Sequence, residues 1–169
     1  TIIEIPLIDP VDYGTREGMI AYAEGVIQLP RYRFWNGTGF SQELNASSVV
    51  GTIQRIRTEH SPKRYEYSLL TIDSGADINI QMYSYMPNGS LCWNNGTSCD
   101  SVFELETAST AINRLKADVA YEYNSGDSII VFSDGTSIPK FVNWNGSGWS
   151  TEQSVPQTLL GGVVSYVKM

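Results

Sequence analysis

The stretch MIAYAEGVIQLPRYRFWNGTGFSQE, residues 19–43, returns as IIVFSDGTSIPKFVNWNGSGWSTE at 129–152. With one residue inserted before the proline of the first copy, Ile20 meets Ile130, Gly25 meets Gly135 and Pro30 meets Pro139. Trp35 then meets Trp144, Asn36-Gly37 meets Asn145-Gly146, Ser41 meets Ser150 and Glu43 meets Glu152. Self-similarity at a fixed period is the mark of a repeat architecture. The offset of about 110 residues is too long for one small sheet, so a further copy is expected in between. A degenerate one lies at 67–94, YSLLTIDSGADINIQMYSYMPNGSLCWN: apolar strand, Asp-Ser-Gly turn, alternating strand, Asn-Gly-Ser turn, strand with Trp93.

Each copy is preceded by one more strand-like segment: TIIEIPLIDPVDY, TIQRIRTEH and KADVAYEYNSG. A unit of roughly 50–58 residues with four antiparallel strands has the size of a propeller blade. The reading is an all-β chain of four-stranded, blade-like antiparallel repeats within one domain, 1–169. The units run roughly 1–48, 49–106 and 107–155, with a terminal strand at 162–169. That last segment, GGVVSYVKM, echoes VGTIQRIRTE at 50–59, so the chain stops inside the first strand of a fourth blade. Three blades are too few to close a ring. Either the protein is longer or neighbouring copies complete the sheets.

Within the units, DINIQMY (77–83) alternates and predicts a half-buried strand, whereas SIIVF (128–132) and MIAYA (19–23) predict strands covered on both faces. The best helical candidate, ELETASTAINRLKAD at 104–118, is broken by Thr107, Ser109 and Thr110 and is allowed one short turn at most.

The segments PRYRFWNGTGFS, GTIQRIRTEHSPKRYEYSLLTIDS and DVAYEYNSGDSIIVFSDGTSIPKFVNWNGSGWS resemble a family of β-propeller-like repeats in secreted and surface proteins of prokaryotes. Its hallmark is a Trp-Asn/Asp-Gly-Ser-x-Trp-Ser turn. The resemblance covers the chain from about residue 13 onward. It implies a fold and an extracellular setting, but no activity. The turn also resembles the Asp-box of sialidase-type propellers, with Asn36 and Asn145 standing where that box has Asp and with a shorter spacing.

Charge removes several partner classes. Charged residues make up 17% of the chain and the net charge is -7. The four lysines, Lys63, Lys116, Lys140 and Lys168, are scattered. Nucleic acid is not expected, since phosphate binding relies on clustered cations. No apolar run approaches the roughly 18 residues of a membrane span. The chain begins at Thr1 and reads as a mature chain whose leader is gone.

Candidate chemistry is sparse, and no enzyme and no cofactor are expected. The seven arginines do not recur at matching positions, as a sialidase site would need. Tyr65 and Glu66 are neighbours on a strand and point to opposite faces. A catalytic triad would need His60, the one histidine, which sits in TEHSPKR and reads as a solvated turn. Asp73 and Asp77 are weak calcium candidates that read first as turn formers.

Cys92 and Cys99, in CWNNGTSC, are read as a disulfide that closes a small loop and favours a place outside the cytosol. Asn36, Asn45, Asn88, Asn95 and Asn145 are glycosylation sequons. Asn at a hairpin tip also supplies positive φ, whether or not a sugar is attached. Trp35, Trp144 and Trp149, with Tyr32, Phe34, Phe40 and Phe141, are either sugar-stacking platforms or the pins of hairpins; recurrence favours the pins.

The functional expectation is an extracellular, glycosylated surface protein. It joins copies of itself into a filament or layer by strand addition at its ends, TIIEIPLI and VVSYVKM. The alternative is a carbohydrate-binding module of an adhesin or secreted enzyme, with glycans as partners.

Overall fold

The computed structural model describes the backbone of residues 2–4 together with 18–24, 28–107, 116–156, 162–164 and 166–169. Three antiparallel sheets follow one another along the chain, and none of them closes into a barrel. The first holds β1 (Ile2–Glu4), β2 (Gly18–Ala23), β3 (Arg31–Trp35) and β4 (Leu44–Asn45). The second holds β5 (Ile53–His60), β6 (Tyr67–Asp73), β7 (Ile78–Tyr85) and β8 (Leu91–Asn94). There β9 (Phe103–Glu106) pairs with the other half of the β7 edge that β8 occupies. The third holds β10 (Ala117–Tyr121), β11 (Ser128–Phe132), β12 (Lys140–Trp144) and β13 (Gln153–Ser154). The fold is all-β, and no helix occurs among the described residues. Of the weak helical candidate, 104–106 lie in β9 and 108–115 fall outside the described residues.

The sheets repeat in register as well as in sequence. Gly18 pairs with Trp35, Tyr67 with Tyr83 and Ser128 with Trp144. Paired residues share a face, and faces alternate along each strand. One face of each sheet therefore carries Ile20, Tyr22, Arg33 and Trp35 in the first, Leu69, Thr71, Gln81 and Tyr83 in the second, and Ile130, Phe132, Val142 and Trp144 in the third.

The second sheet is sandwiched between the other two. Met19, Ala21 and Tyr32 of the first sheet form one core with Tyr67, Leu69 and Trp93 of the second. Leu70, Ile72, Ile78, Ile80 and Met82 form another core with Ile130, Phe132, Val142 and Trp144. Burying each aliphatic side chain is worth roughly 1.5–3 kcal/mol. Both boundaries join unlike faces, so the step from first to second sheet is repeated from second to third. The opening strand β5 lies against both β1 and β10, as neighbouring inner strands of blades do.

Burial along the strands departs from the alternation rule. The strand at 77–83 is not half-buried. Ile78, Ile80 and Met82 face the third sheet, and Asn79 and Gln81 are buried towards the first. Gln81 is satisfied there by the backbone of Ser47, accepting its N–H at 2.8 Å and donating to its C=O at 3.2 Å. A polar face can be buried when its hydrogen bonds are met. Conversely, SIIVF and MIAYA are covered on one face only; Ile129, Val131, Ile20 and Tyr22 are half-buried.

The terminal segment also differs from expectation. Among its described residues, 162–164 and 166–169 form no strand. Val164 and Val167 are buried, and Val164 is tied to Thr136 and Ser133. The backbone N–H of Met169 donates to the buried Asp118 at 2.7 Å. The tail is thus docked on the third sheet of its own chain.

Candidate functional site

The repeated turn has one chemistry in three places. At Asn36, Asn95 and Asn145 the side-chain oxygen accepts three bonds of 2.8–3.1 Å. These come from the N–H and hydroxyl of the residue two on and from the N–H of the residue three on. The next residue is glycine with positive φ each time: Gly37 at 94°, Gly96 at 93° and Gly146 at 91°. Such a side-chain-closed turn lets Asn lead the chain back on itself.

In the second sheet this closure sits at Asn95-Gly96-Thr97-Ser98, after β8. Asn88-Gly89-Ser90 instead tips the β7–β8 hairpin, where Tyr83 pairs with Trp93 as Trp35 does with Phe40. Asn88 accepts one bond, from Ser90. Residues on either side of the turn pair across it: Trp35 with Phe40, Trp144 with Trp149 and Asn94 with Cys99. Cys99 takes the place of the aromatic and is pinned by the disulfide to Cys92 (S–S 2.01 Å).

The aromatic candidates separate by position. Trp144 is 1% exposed and is covered by the second sheet. Its neighbour Trp149 stacks on Phe103 at 5.0 Å and donates from Nε1 to the Asn95 carbonyl at 2.8 Å. Trp144 has no face open to a sugar, and the half-buried Trp149 has one face taken by Phe103. Trp35 is half-exposed and lies 5.0 Å from Phe40, itself 52% exposed. Tyr32 is buried and Phe34 packs at the first boundary, whereas Phe141 is half-buried outside both cores.

Asp73 is consumed by the fold. Its carboxylate accepts the N–H groups of Gly75, Asp77 and Gly51. Among the described residues, no group of three or more His, Cys, Asp or Glu is placed to hold a metal. His60 ends β5, with its ring 6.5 Å from that of Tyr67, and is not a solvated turn residue. Tyr65 and Glu66 lie before β6 rather than on a strand, Tyr65 exposed and Glu66 buried. Asn36, Asn45, Asn88 and Asn145 are exposed, and Asn95 is half-buried.

What the sequence did not reveal is a pair of sheet faces against which, among the described residues, no other sheet packs. On the first sheet Ile20, Tyr22, Arg31, Arg33 and Trp35 are half-buried and belong to neither core. Arg33 Nε donates to the Tyr22 hydroxyl at 3.3 Å, and that hydroxyl donates to Glu43. Burial, then the Glu43 carboxylate, raises the Tyr22 pKa above its ordinary value. Arg31 pairs with Glu43 at 2.8 Å and Glu24 at 3.6 Å.

This cluster of charges looks like an active centre until the third sheet is laid over it. There Lys140, Glu152 and Asp134 occupy the equivalent places, with ion pairs of 3.6 and 3.8 Å. A triad that recurs in each terminal sheet is a device of the repeat. Asp118 shares the third sheet's outward face through its pairing with Val131 and is buried there by Arg57 and the tail. Beyond it that face carries Ile129, Val131 and Phe141, half-buried, and Asn143, exposed. The counterparts of these four in the first sheet are Met19, Ala21, Tyr32 and Phe34, all at the boundary with the second sheet.

No family model, curated protein or solved structure matches this chain.

Proposed function

We propose that this chain is an exported structural protein of the blade-like β-repeat type, whose work is to join copies of itself into a filament or surface layer. It carries sugars at its hairpin tips. The single observation behind this reading is the unequal covering of the sheets. Among the described residues the middle sheet has another sheet against both faces, while each end sheet has none against the face that its counterpart buries. The disulfide fits an oxidising compartment. Four exposed sequon asparagines leave room for glycans.

Strand donation from the ends is the weaker route to assembly. Residues Ile2–Glu4 already pair with β2, and the described tail is docked on the third sheet. Withdrawing either would leave its own sheet short of a partner. Native mass spectrometry with electron microscopy of the purified protein tests the reading. Assemblies with excess mass of several glycans are expected; bare monomers at micromolar concentration would sink it.

A second reading is supported by the Trp35–Phe40 pair, which lies beside Arg33 and Tyr22 on a half-exposed face. Aromatic rings flanked by hydrogen-bonding groups suit a carbohydrate. Glycan-array binding that is lost with Trp35→Ala and retained in a monomer would favour this module over the assembling one.

A further inference from the structure

We propose that assembly is by face-to-face docking, head to tail. The part of the third-sheet face on β11 and β12 that the tail leaves open, Ile129, Val131, Phe141 and Asn143, seats the outward face of the first sheet, Ile20, Tyr22, Arg33 and Trp35, of a second copy. This rests on the self-assembly reading and names the contact that makes it.

The chain itself shows what covers each of these surfaces. Twice over, a face carrying the Met19–Ala21–Tyr32 positions or their Ser68–Leu70–Ile80 equivalents receives a face carrying the Leu69–Gln81–Tyr83 or Ile130–Val142–Trp144 positions. Ile20, Arg33 and Trp35 are the first-sheet members of the second set. Ile129, Val131 and Phe141 are the third-sheet members of the first set. The missing boundary is therefore the existing one, continued between copies. A repeated heterologous contact of this kind adds copies in one direction.

Hydrogen-bonding capacity matches at the same joint. In the first boundary Gln81 both accepts from Ser47 N–H and donates to Ser47 C=O. Its first-sheet counterpart is Arg33, whose guanidinium donates only. The counterpart of Ser47 is Pro156: Leu44 pairs with Tyr32 as Gln153 does with Phe141, and Ala46 N–H meets the Pro30 carbonyl as Val155 N–H meets that of Pro139. Proline offers a carbonyl and no N–H. A two-way bond inside the chain thus becomes, between copies, a donor-only side chain facing an acceptor-only backbone.

Polarity does not bar burial of the first-sheet face. Thr71, Asn79 and Gln81 on the equivalent face of the second sheet are all buried. Nor does a sugar at Asn36, since Asn145, at the equivalent tip, stays exposed with its boundary formed.

The test uses two variants and their mixture. Ile20→Glu disables the first-sheet face while leaving a cross-strand partner, Arg33, for the new charge in the isolated chain. Ile129→Glu disables the third-sheet face. Each variant alone is expected to sediment as a monomer, with association weakened about a hundredfold or more by the unpaired buried charge. The equimolar mixture is expected to form one-to-one dimers and nothing larger, since one intact face of each kind remains. Dimer formation also shows that both variants are folded. If the unaltered chain is monomeric, the self-assembly reading itself fails. If it assembles and either variant still builds large assemblies, only the face-to-face contact is overturned. If the mixture of monomeric variants stays monomeric although both show the unaltered chain's circular dichroism, the head-to-tail pairing is overturned.

Discussion

Trp144 Nε1 donates at 2.8 Å to Oε2 of Glu66, a residue only 2% exposed, across the boundary between the second and third sheets. Arg64 reaches the other carboxylate oxygen at 3.5 Å. Tyr121 packs beside them, its pKa pushed well above the ordinary value by burial and by the Glu66 charge. A carboxylate held among apolar groups needs its donors. Trp144→Phe keeps most of the ring and removes the donor, and should cost about 1–3 kcal/mol. Trp144→Ala also opens a cavity and should cost about 3–5 kcal/mol. Urea unfolding of both variants measures the difference; a Phe variant as stable as the parent would show that Glu66 does not depend on the indole.

Gly96 and Gly89 separate two reasons for a glycine. Both have positive φ, 93° and 84°. A Cβ at Gly89 meets nothing within 4 Å, whereas one at Gly96 falls 2.9 Å from the Trp144 ring. Gly89→Ala should cost about 1–2 kcal/mol, the penalty of a left-handed backbone alone. Gly96→Ala carries that penalty plus a clash in a filled boundary, about 1–3 kcal/mol more. Equal losses in thermal unfolding would mean that the ring at Gly96 moves aside freely.

The contrast between these two glycines marks how far the sequence could be read. The all-β fold and the Cys92–Cys99 bridge were legible because alternation, turn residues and a close cysteine pair act locally. The turn at Asn88 reads as the third copy because its letters, Asn-Gly-Ser, match. The three-bond closure sits instead at Asn95, one strand later, where Cys99 stands in the place of the aromatic. Which strands are covered on both faces was not legible either. Gln81 and Asn79 read as solvent-facing, and only the arrival of the first sheet and Ser47 makes them internal. The uncovered faces were out of reach for the same reason: Ile20 and Ile130 are identical letters on matching strands, and only sheet order makes one core and the other surface.

Removing sequons will not be innocent at every site. The Asn36 oxygen closes its turn with three bonds, one of them from the hydroxyl of its own sequon threonine, Thr38. Asn36→Gln should cost about 0.5–2 kcal/mol, the range for losing a side-chain cap to backbone N–H groups. Asn45→Gln, at an exposed position in a short edge strand, should fall within about 0.5 kcal/mol of the parent. Unfolding of the unglycosylated proteins from a bacterial host separates the fold effect from the sugar. If the two variants lose stability equally, the turn bonds contribute nothing measurable.

Asp77 offers a pH test that also bears on calcium. Its pKa is raised by burial first, and then by the nearby charges of Asp73, Glu104 and Glu106. A carboxyl whose folded pKa lies above the unfolded value, about 3.9, binds its proton more tightly when folded. Its charge therefore opposes folding above the folded pKa, and the opposition fades as pH falls through that value and is gone below the unfolded one. Asp77→Asn removes it. The variant should gain a little stability at pH 7, within about 0.5 kcal/mol because solvent screens a half-buried group, and should match the parent near pH 3. Thermal unfolding at the two pH values, with and without millimolar calcium, checks this. Asp73 is already occupied by three backbone N–H groups, so calcium should leave the parent's Tm unmoved. A calcium-dependent rise in the parent that Asp77→Asn abolishes would turn the pair of aspartates from turn formers into ligands.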